Sequence, residues 1–207
     1  MRKLLFLISF FVLGLTKVYG QKVQYGLKAG LGFASQEIVN PDIASTNSVT
    51  TYYIAGYVDI PFKSVYFQPG ITVLGKGVKE YQNAQTNTIT LTYLEVPLTV
   101  LYKFNLNTLG KIYLGGGPYV AMGLSGNNQL EGINTVSGSN VSFGNDEDYK
   151  KFDLGVNFTT GLELNNHLTF NMKYTLGLSD IASTNPDDVN TTSVKNRVFT
   201  IGLGFWL

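Results

Sequence analysis

His167 is the only histidine in the chain. Acyl-transfer chemistry needs an imidazole held between a hydroxyl nucleophile and a carboxylate. His167 instead stands in the tight polar stretch Asn165-Asn166-His167, which reads as a turn. The chain has no cysteine, which excludes thiolate catalysis, thiolate metal sites and disulfides. Asp146-Glu147-Asp148 groups three acids that could meet Ca²⁺ or the cations that bridge lipopolysaccharide. It lacks the alternating Asp/Asn spacing and fixed glycine of a calcium loop, so it reads as a solvated acidic loop. Asp187-Asp188, after Pro186, reads the same way. Gly115-Gly116-Gly117-Pro118 is glycine-rich, but it lies inside a strand pattern with no helix after it. That context does not cradle a phosphate, and the glycines are expected to admit bulky neighbours. No residue is therefore assigned to catalysis, to a cofactor or to a metal. The remaining chemistry is electrostatic: Lys28, Glu95, Glu163 and Lys173 lie on the polar side of four alternating segments. They are expected to form an ion-pair network.

The elements that must position these charges repeat with a period of two. In residues 25–34, Tyr25, Leu27, Ala29, Leu31 and Phe33 share one face, and Gly26, Lys28, Gly30 and Gly32 share the other. Five apolar residues at that period cannot lie on one helix stripe. The pattern recurs over 51–60, 65–74, 88–102, 112–124, 152–164, 168–178 and 196–207. In 88–102 the apolar parity changes between Leu91 and Leu94, so an extra residue, a β-bulge near Thr92-Tyr93, is expected to restore the face. Pro97 falls in the middle of that strand, where it removes a ladder donor.

Composition agrees with β structure in an unusual solvent. Charged residues are 14% of the 207, glycines number 23, and Tyr and Phe number 13 each. Disordered chains and coiled coils are excluded by this balance. A formal net charge of +1 leaves no basic excess for phosphates, so no nucleic-acid partner is expected. Most of the eight strands run 10–13 residues, enough for the roughly 9–11 that a tilted strand needs to cross a bilayer. Their connections (35–50, 61–64, 75–87, 103–111, 125–151, 165–167 and 179–195) alternate long and short, as in barrels with short periplasmic turns and longer outer loops. The fold class expected is all-β: an eight-stranded antiparallel up-and-down transmembrane β-barrel.

The apolar face is expected to meet lipid. The opposite face holds Gly, Thr, Asn and Tyr with charges of both signs (Lys28, Asp59, Glu95, Asp153, Glu163 and Lys173), which suits a narrow lumen where charges must pair. Inward glycine suits a small barrel whose interior barely holds side chains. Tyr25, Tyr52, Tyr102, Phe152 and Phe205 could form interfacial girdles.

The first residues read as an address. Met1-Arg2-Lys3 is basic, Leu4 to Leu15 is apolar but too short to span a bilayer, and Val18 and Gly20 are small. Residues 1–20 are expected to be a signal peptide cut before Gln21, leaving 21–207 as the barrel domain.

Several stretches resemble the outer-membrane β-barrel domain family of Bacteroidetes-type bacteria, the PorT-like barrels. They are Gly26-Leu-Lys-Ala-Gly30-Leu, Phe67-Gln-Pro-Gly-Ile71, Tyr93-Leu-Glu-Val-Pro97-Leu, Gly115-Gly-Gly-Pro-Tyr119, Phe152-Asp-Leu-Gly155 and Tyr174-Thr-Leu-Gly177-Leu-Ser. The resemblance implies an eight-stranded barrel in the cell outer membrane, delivered by the barrel-assembly machinery. It makes Pro97 a family habit and implies little about activity. Such barrels often end in an aromatic residue, whereas this chain ends Phe205-Trp206-Leu207.

The leading expectation is a non-enzymatic barrel embedded in outer-membrane lipid, without cofactors. Its lumen would be closed by side chains, and its loops would meet an extracellular or secretion-system protein partner or simply shield the surface. The alternatives are an outer-membrane enzyme acting on lipid A or peptides, which would want His, Ser and Asp at the outer rim, and a periplasmic lipocalin-like barrel binding an apolar ligand.

Overall fold

The computed structural model describes residues 23–39, 45–82, 85–131, 136–144, 147–182 and 193–207. Ten strands follow in order: β1 (Gln24–Val39), β2 (Ser45–Asn47), β3 (Val49–Phe62), β4 (Val65–Gln82), β5 (Gln85–Asn105), β6 (Gly110–Glu131), β7 (Val136–Val141), β8 (Phe152–Leu164), β9 (Leu168–Gly177) and β10 (Ser193–Trp206). Eight of them form a closed antiparallel ring. Each of β1, β3, β4, β5, β6, β8, β9 and β10 pairs with the next, and β10 pairs back to β1. Closure leaves no unpaired edge for lipid to meet. β2 and β7 are short additions on β4 and β6.

Period two decides which side of this wall each residue faces. Leu27, Leu31, Ile54, Ile71, Val100, Leu154, Phe170, Ile201 and Leu203 all lie outward and exposed, 43–61% of each accessible. The alternate positions are buried inside the ring, among them Lys28, Thr72, Glu95, Asp153, Asn157, Thr175 and Thr200. A soluble protein would expose the second set and bury the first. This wall does the reverse, as a surface in contact with hydrocarbon should. Four aromatics, Phe33, Phe199, Tyr174 and Phe158, stand directly opposite one another across β1, β10, β9 and β8, forming a row on the outward face. Tyr25, Tyr52, Tyr102, Phe152 and Phe205 also point outward. Leu203→Arg is expected to cost about 2–4 kcal/mol, the depth-dependent cost of a cation against lipid. Urea titration of the lipid-refolded barrel reads it, and an unchanged midpoint would mean that this face does not meet hydrocarbon.

The strands run further than the apolar alternation. β4 has 18 residues, β5 21 and β6 22, about twice what a crossing requires. Most of the segment expected as the loop 75–87 is instead the outer half of the β4–β5 hairpin, and much of 103–111 is strand as well. Beyond the lipid both faces of a strand may be polar, so the apolar rhythm stops while the ladder continues. The tight connections are Lys63-Ser64, Leu106–Leu109 and Asn165–His167, all at the end where Tyr25 and Trp206 lie. Lys63, Asn107 and His167 take positive φ there.

The irregularity expected at Thr92-Tyr93 is present, but the extra residue belongs to the partner strand. Thr92 faces Ser125 and Tyr93 faces Gly123, which leaves Leu124 of β6 unopposed. β5 therefore keeps its parity. Ile89 and Leu91 do not rotate to the lipid side; they are buried inside with Tyr93.

Pro97 also gains a context. Pro69 pairs with Leu98, and Pro97 pairs with Tyr119, the neighbour of Pro118. The three prolines thus step across β4, β5 and β6. Beside each one the ladder toward the preceding strand skips two residue pairs. Proline supplies no N–H for those positions.

Candidate functional site

The lumen collects the buried charge of the molecule, in two clusters stacked along the barrel. The outer cluster centres on Lys76, carried by β4. Its ammonium lies 2.9 Å from Asp153 Oδ2 and 3.6 Å from Glu95 Oε2, with all three side chains fully buried. Lys173 Nζ lies 2.9 Å from Glu95 Oε1. Asp153 also accepts from Asn196 Nδ2 at 2.9 Å, from Ser179 Oγ at 3.0 Å and from Tyr119 Oη at 3.3 Å. Asn157 Nδ2 donates to Glu95 Oε1 at 3.2 Å. The rings of Tyr93 and Tyr119 face the Lys76 ammonium, with centroids 4.9 and 4.5 Å away. Opposite charges together with neutral donors offset the cost of burying each ion.

The second cluster, toward the end with the tight turns, centres on Lys103 of β5. It donates to Asp59 Oδ2 at 2.5 Å and to Glu163 Oε1 at 2.6 Å. Gln68 bridges to it, donating to Asp59 Oδ1 at 2.6 Å and accepting from Lys28 Nζ at 3.1 Å. Lys28 also lies over the rings of Tyr57 and Tyr113, 4.1 and 5.4 Å from their centroids. A cavity of about 50 Å³ separates the two clusters, with Lys28, Lys173, Gln68, Tyr53 and Asn171 among its walls. That is room for a few waters at most.

Of the four residues expected to pair, Glu95 and Lys173 do so directly. Glu163 pairs with Lys103, and Lys28 reaches that second cluster through Gln68 rather than through a carboxylate. The four do not form one network. Sequence reasoning missed the two central cations, Lys76 and Lys103, because both fell just past the apolar alternation, in segments read as loops. The signal was available: Lys76 continues the inward parity of Gln68, Thr72 and Leu74, and Lys103 that of Glu95 and Thr99.

Above the outer cluster the lumen is plugged with apolar groups. Val78, Ile89, Leu91, Tyr93, Tyr119 and Ala121 pack together, with Ile38, Val141, Phe143 and Tyr149 against them. A second group of Ala34, Val49, Tyr53, Leu74 and Val198 lies alongside. Phe143 meets Tyr93 edge to face, with centroids 5.5 Å apart. Burial pushes the phenol of Tyr149, in the segment after β7, up to about 12, and the nearby Glu80 charge acts in the same direction.

The lumenal tyrosines fit against glycines. Tyr57 faces Gly26, Tyr113 faces Gly161 and Tyr119 faces Gly155 on the neighbouring strand. A Cβ at any of these glycines would overlap the ring opposite. Gly115 and Gly117 differ from expectation. A Cβ there would run into the carbonyl oxygens of Val100 and Leu98, so that run answers to close backbone approach more than to bulky side chains.

The other sequence candidates lie apart from these clusters. His167 closes the β8–β9 turn, at the end with the tight turns. Its ring stacks on Trp206 at 4.1 Å, and its Nδ1 lies 2.8 Å from the Trp206 carbonyl. Asp148 accepts from the Ser142 backbone N–H at 2.8 Å. Asp146, Asp187, Asp188 and residues 1–20, expected as a leader, lie outside the described residues. Among the described residues no three metal-ligating side chains converge.

A family model described as outer membrane protein beta-barrel domain matches residues 18–183. No curated protein matches. Several solved structures are similar. Neisserial surface protein A (NspA) is 12% identical, with 89% of this chain and 99% of that one covered and a TM-score of 0.47. OprG from Pseudomonas aeruginosa is 14% identical, with 89% and 95% covered and a TM-score of 0.48. Ail, the attachment invasion locus protein of Yersinia pestis, is 9% identical, with 90% and 100% covered and a TM-score of 0.43.

Proposed function

This chain belongs to the family of outer membrane protein beta-barrel domains, and from that membership we propose a non-enzymatic outer-membrane barrel with a lumen closed by its own side chains. The observation that carries this reading is the charge balance inside. Lys76 and Lys173 meet Glu95 and Asp153, while Lys28 and Lys103 share the other end with Asp59 and Glu163. Each cluster is neutral and hydrogen-bonded, and an apolar plug sits over the outer one. A conducting pore would instead need a wet, continuous path. The inner wall is also too charged to suit a lipocalin-like site for an apolar ligand. The work then falls to the outer rim, as a partner-binding or shielding surface.

The leader at 1–20, cut before Gln21, the barrel-assembly machinery as insertion partner, and membership of the PorT-like Bacteroidetes branch complete the proposal. They rest on the sequence motifs given above. An extracellular or secretion-system protein is the partner class proposed for the rim.

Two measurements test this reading together. Unboiled protein from the outer-membrane fraction is expected to migrate faster in SDS than boiled protein. In planar bilayers it is expected to give no stable nanosiemens openings. A soluble periplasmic protein without the shift would overturn the membrane assignment, and steady large conductance would overturn the closed lumen.

A further inference from the structure

The cavity between the two lumenal clusters has an unbalanced lining. Lys28 of β1 and Lys173 of β9 both border it, and among the described residues no carboxylate does. Lys28 is short of a counter-charge at contact. The acids at its end of the lumen, Asp59 and Glu163, are both held by Lys103, at 2.5 and 2.6 Å. Lys28 has the neutral Gln68 Oε1 at 3.1 Å and the faces of Tyr57 and Tyr113. Among the described residues no Asp or Glu lies within ion-pair distance of it. An ammonium carries three donors, and Gln68 occupies one.

Asn171 shows the same deficit. It borders the cavity two residues before Lys173 and is only 5% exposed. Its Oδ1 accepts from Tyr53 Oη at 2.6 Å, which fixes the amide with Nδ2 as the other end. Nδ2 is buried and has no hydrogen-bond partner. A buried donor without an acceptor is costly, so an acceptor belongs beside it. The space exists because Ala55 and Gly70, small residues, form part of the wall. Two cations and an orphaned amide donor therefore surround one small void.

We propose that this cavity binds a single halide-sized anion, held by Lys28, Lys173 and Asn171 Nδ2. Water would satisfy the amide but not the charge. An anion satisfies both, through charge-assisted hydrogen bonds inside a low-dielectric lumen. A volume of about 50 Å³ suits a monatomic anion with water beside it. The ion would tie the two clusters together and add to the closure of the lumen. The site depends on lumenal geometry alone, whatever the outer rim binds.

Bromide is the probe, present throughout refolding so that slow entry does not matter. Diffraction at the bromine absorption edge is expected to show an anomalous peak among Lys28, Lys173 and Asn171. A cavity without bromide overturns the proposal, as do peaks confined to the outer surface, which would mean an adventitious ion only. In solution, bromide replaces gluconate at constant ionic strength while urea unfolding is followed on the lipid-refolded chain. Once the site is largely filled, each tenfold rise in bromide should lower the unfolding constant about tenfold. N171D separates an anion site from a water site. It keeps the acceptor for Tyr53 and places a fixed carboxylate beside both lysines. Its midpoint in gluconate is expected at or above the native one, with the bromide response lost. A lower midpoint for N171D, or an undiminished bromide response, overturns the proposal. N171L, which removes the donor, should weaken the response at least tenfold in bromide concentration. If N171L gives no heat-modifiable band, the native chain and N171D decide the matter.

Discussion

Lys76→Met is expected to destabilise the barrel by about 3–5 kcal/mol, the usual cost of removing one partner from a buried ion pair. Among the described residues this lysine is the only cation touching Asp153, and it shares Glu95 with Lys173. Methionine fills similar volume but leaves Asp153 with neutral donors alone, from Asn196, Ser179 and Tyr119. The effect should appear as a lower urea midpoint for the lipid-refolded protein and a fainter fast-migrating band before boiling. Asp153→Asn in the same chain should recover much of the loss, because it removes the charge that the first substitution strands. Both single variants should then be worse than the pair, which is the signature of direct coupling. A wild-type midpoint for Lys76→Met would show that the cluster contributes nothing to stability and that the lumen tolerates a lone carboxylate.

Gly161→Val tests the other means of filling the lumen. A Cβ at Gly161 would overlap both the Phe170 carbonyl and the tip of the Tyr113 ring. Overpacking typically costs about 1–3 kcal/mol, and the upper end or beyond is expected here because one clash is with backbone. Tyr113→Ala should therefore fail to rescue it. Gly26→Val provides the contrast. Its nearest obstacles are all atoms of the Tyr57 ring, so Gly26→Val with Tyr57→Ala should refold better than Gly26→Val alone. Heat-modifiability after refolding reads all four chains. Rescue in both pairs would mean that the ladder yields more readily than the ring packing. Rescue in neither would mean that the tyrosines are not what the glycines accommodate.

The expected segments differ most from the observed strands where the solvent changes. Apolar alternation over 25–34, 152–164, 168–178 and 196–207 reports contact with hydrocarbon on one face. It locates those four strands closely, apart from outward extensions of β1 and β10. Over 75–87 the hydrocarbon ends and the strands do not. Lys76, Val78, Thr86 and Asn87 therefore read as loop although they sit in an unbroken ladder. The central cation of the outer cluster was lost for that reason alone. The parity break at Leu91–Leu94 was legible as a bulge. Its strand was not, because a bulge is a property of a pair and a single chain segment does not show its partner.

The order of side chains along each strand is enough to determine that this chain closes into a lipid-facing barrel. Hydrocarbon accepts only apolar groups and tolerates no open sheet edge, so a period of two maintained through eight segments has few other solutions. The same periodicity assigns Lys28, Glu95, Glu163 and Lys173 to the inside. Which of them meet was decided only by the tertiary structure. Register across strands far apart in sequence puts Lys173 against Glu95, gives Glu163 to Lys103 and leaves Lys28 to Gln68. That register depends on the bulge, the three prolines and the fit of tyrosine against glycine. Each is a relation between strands, which spacing along the chain does not encode.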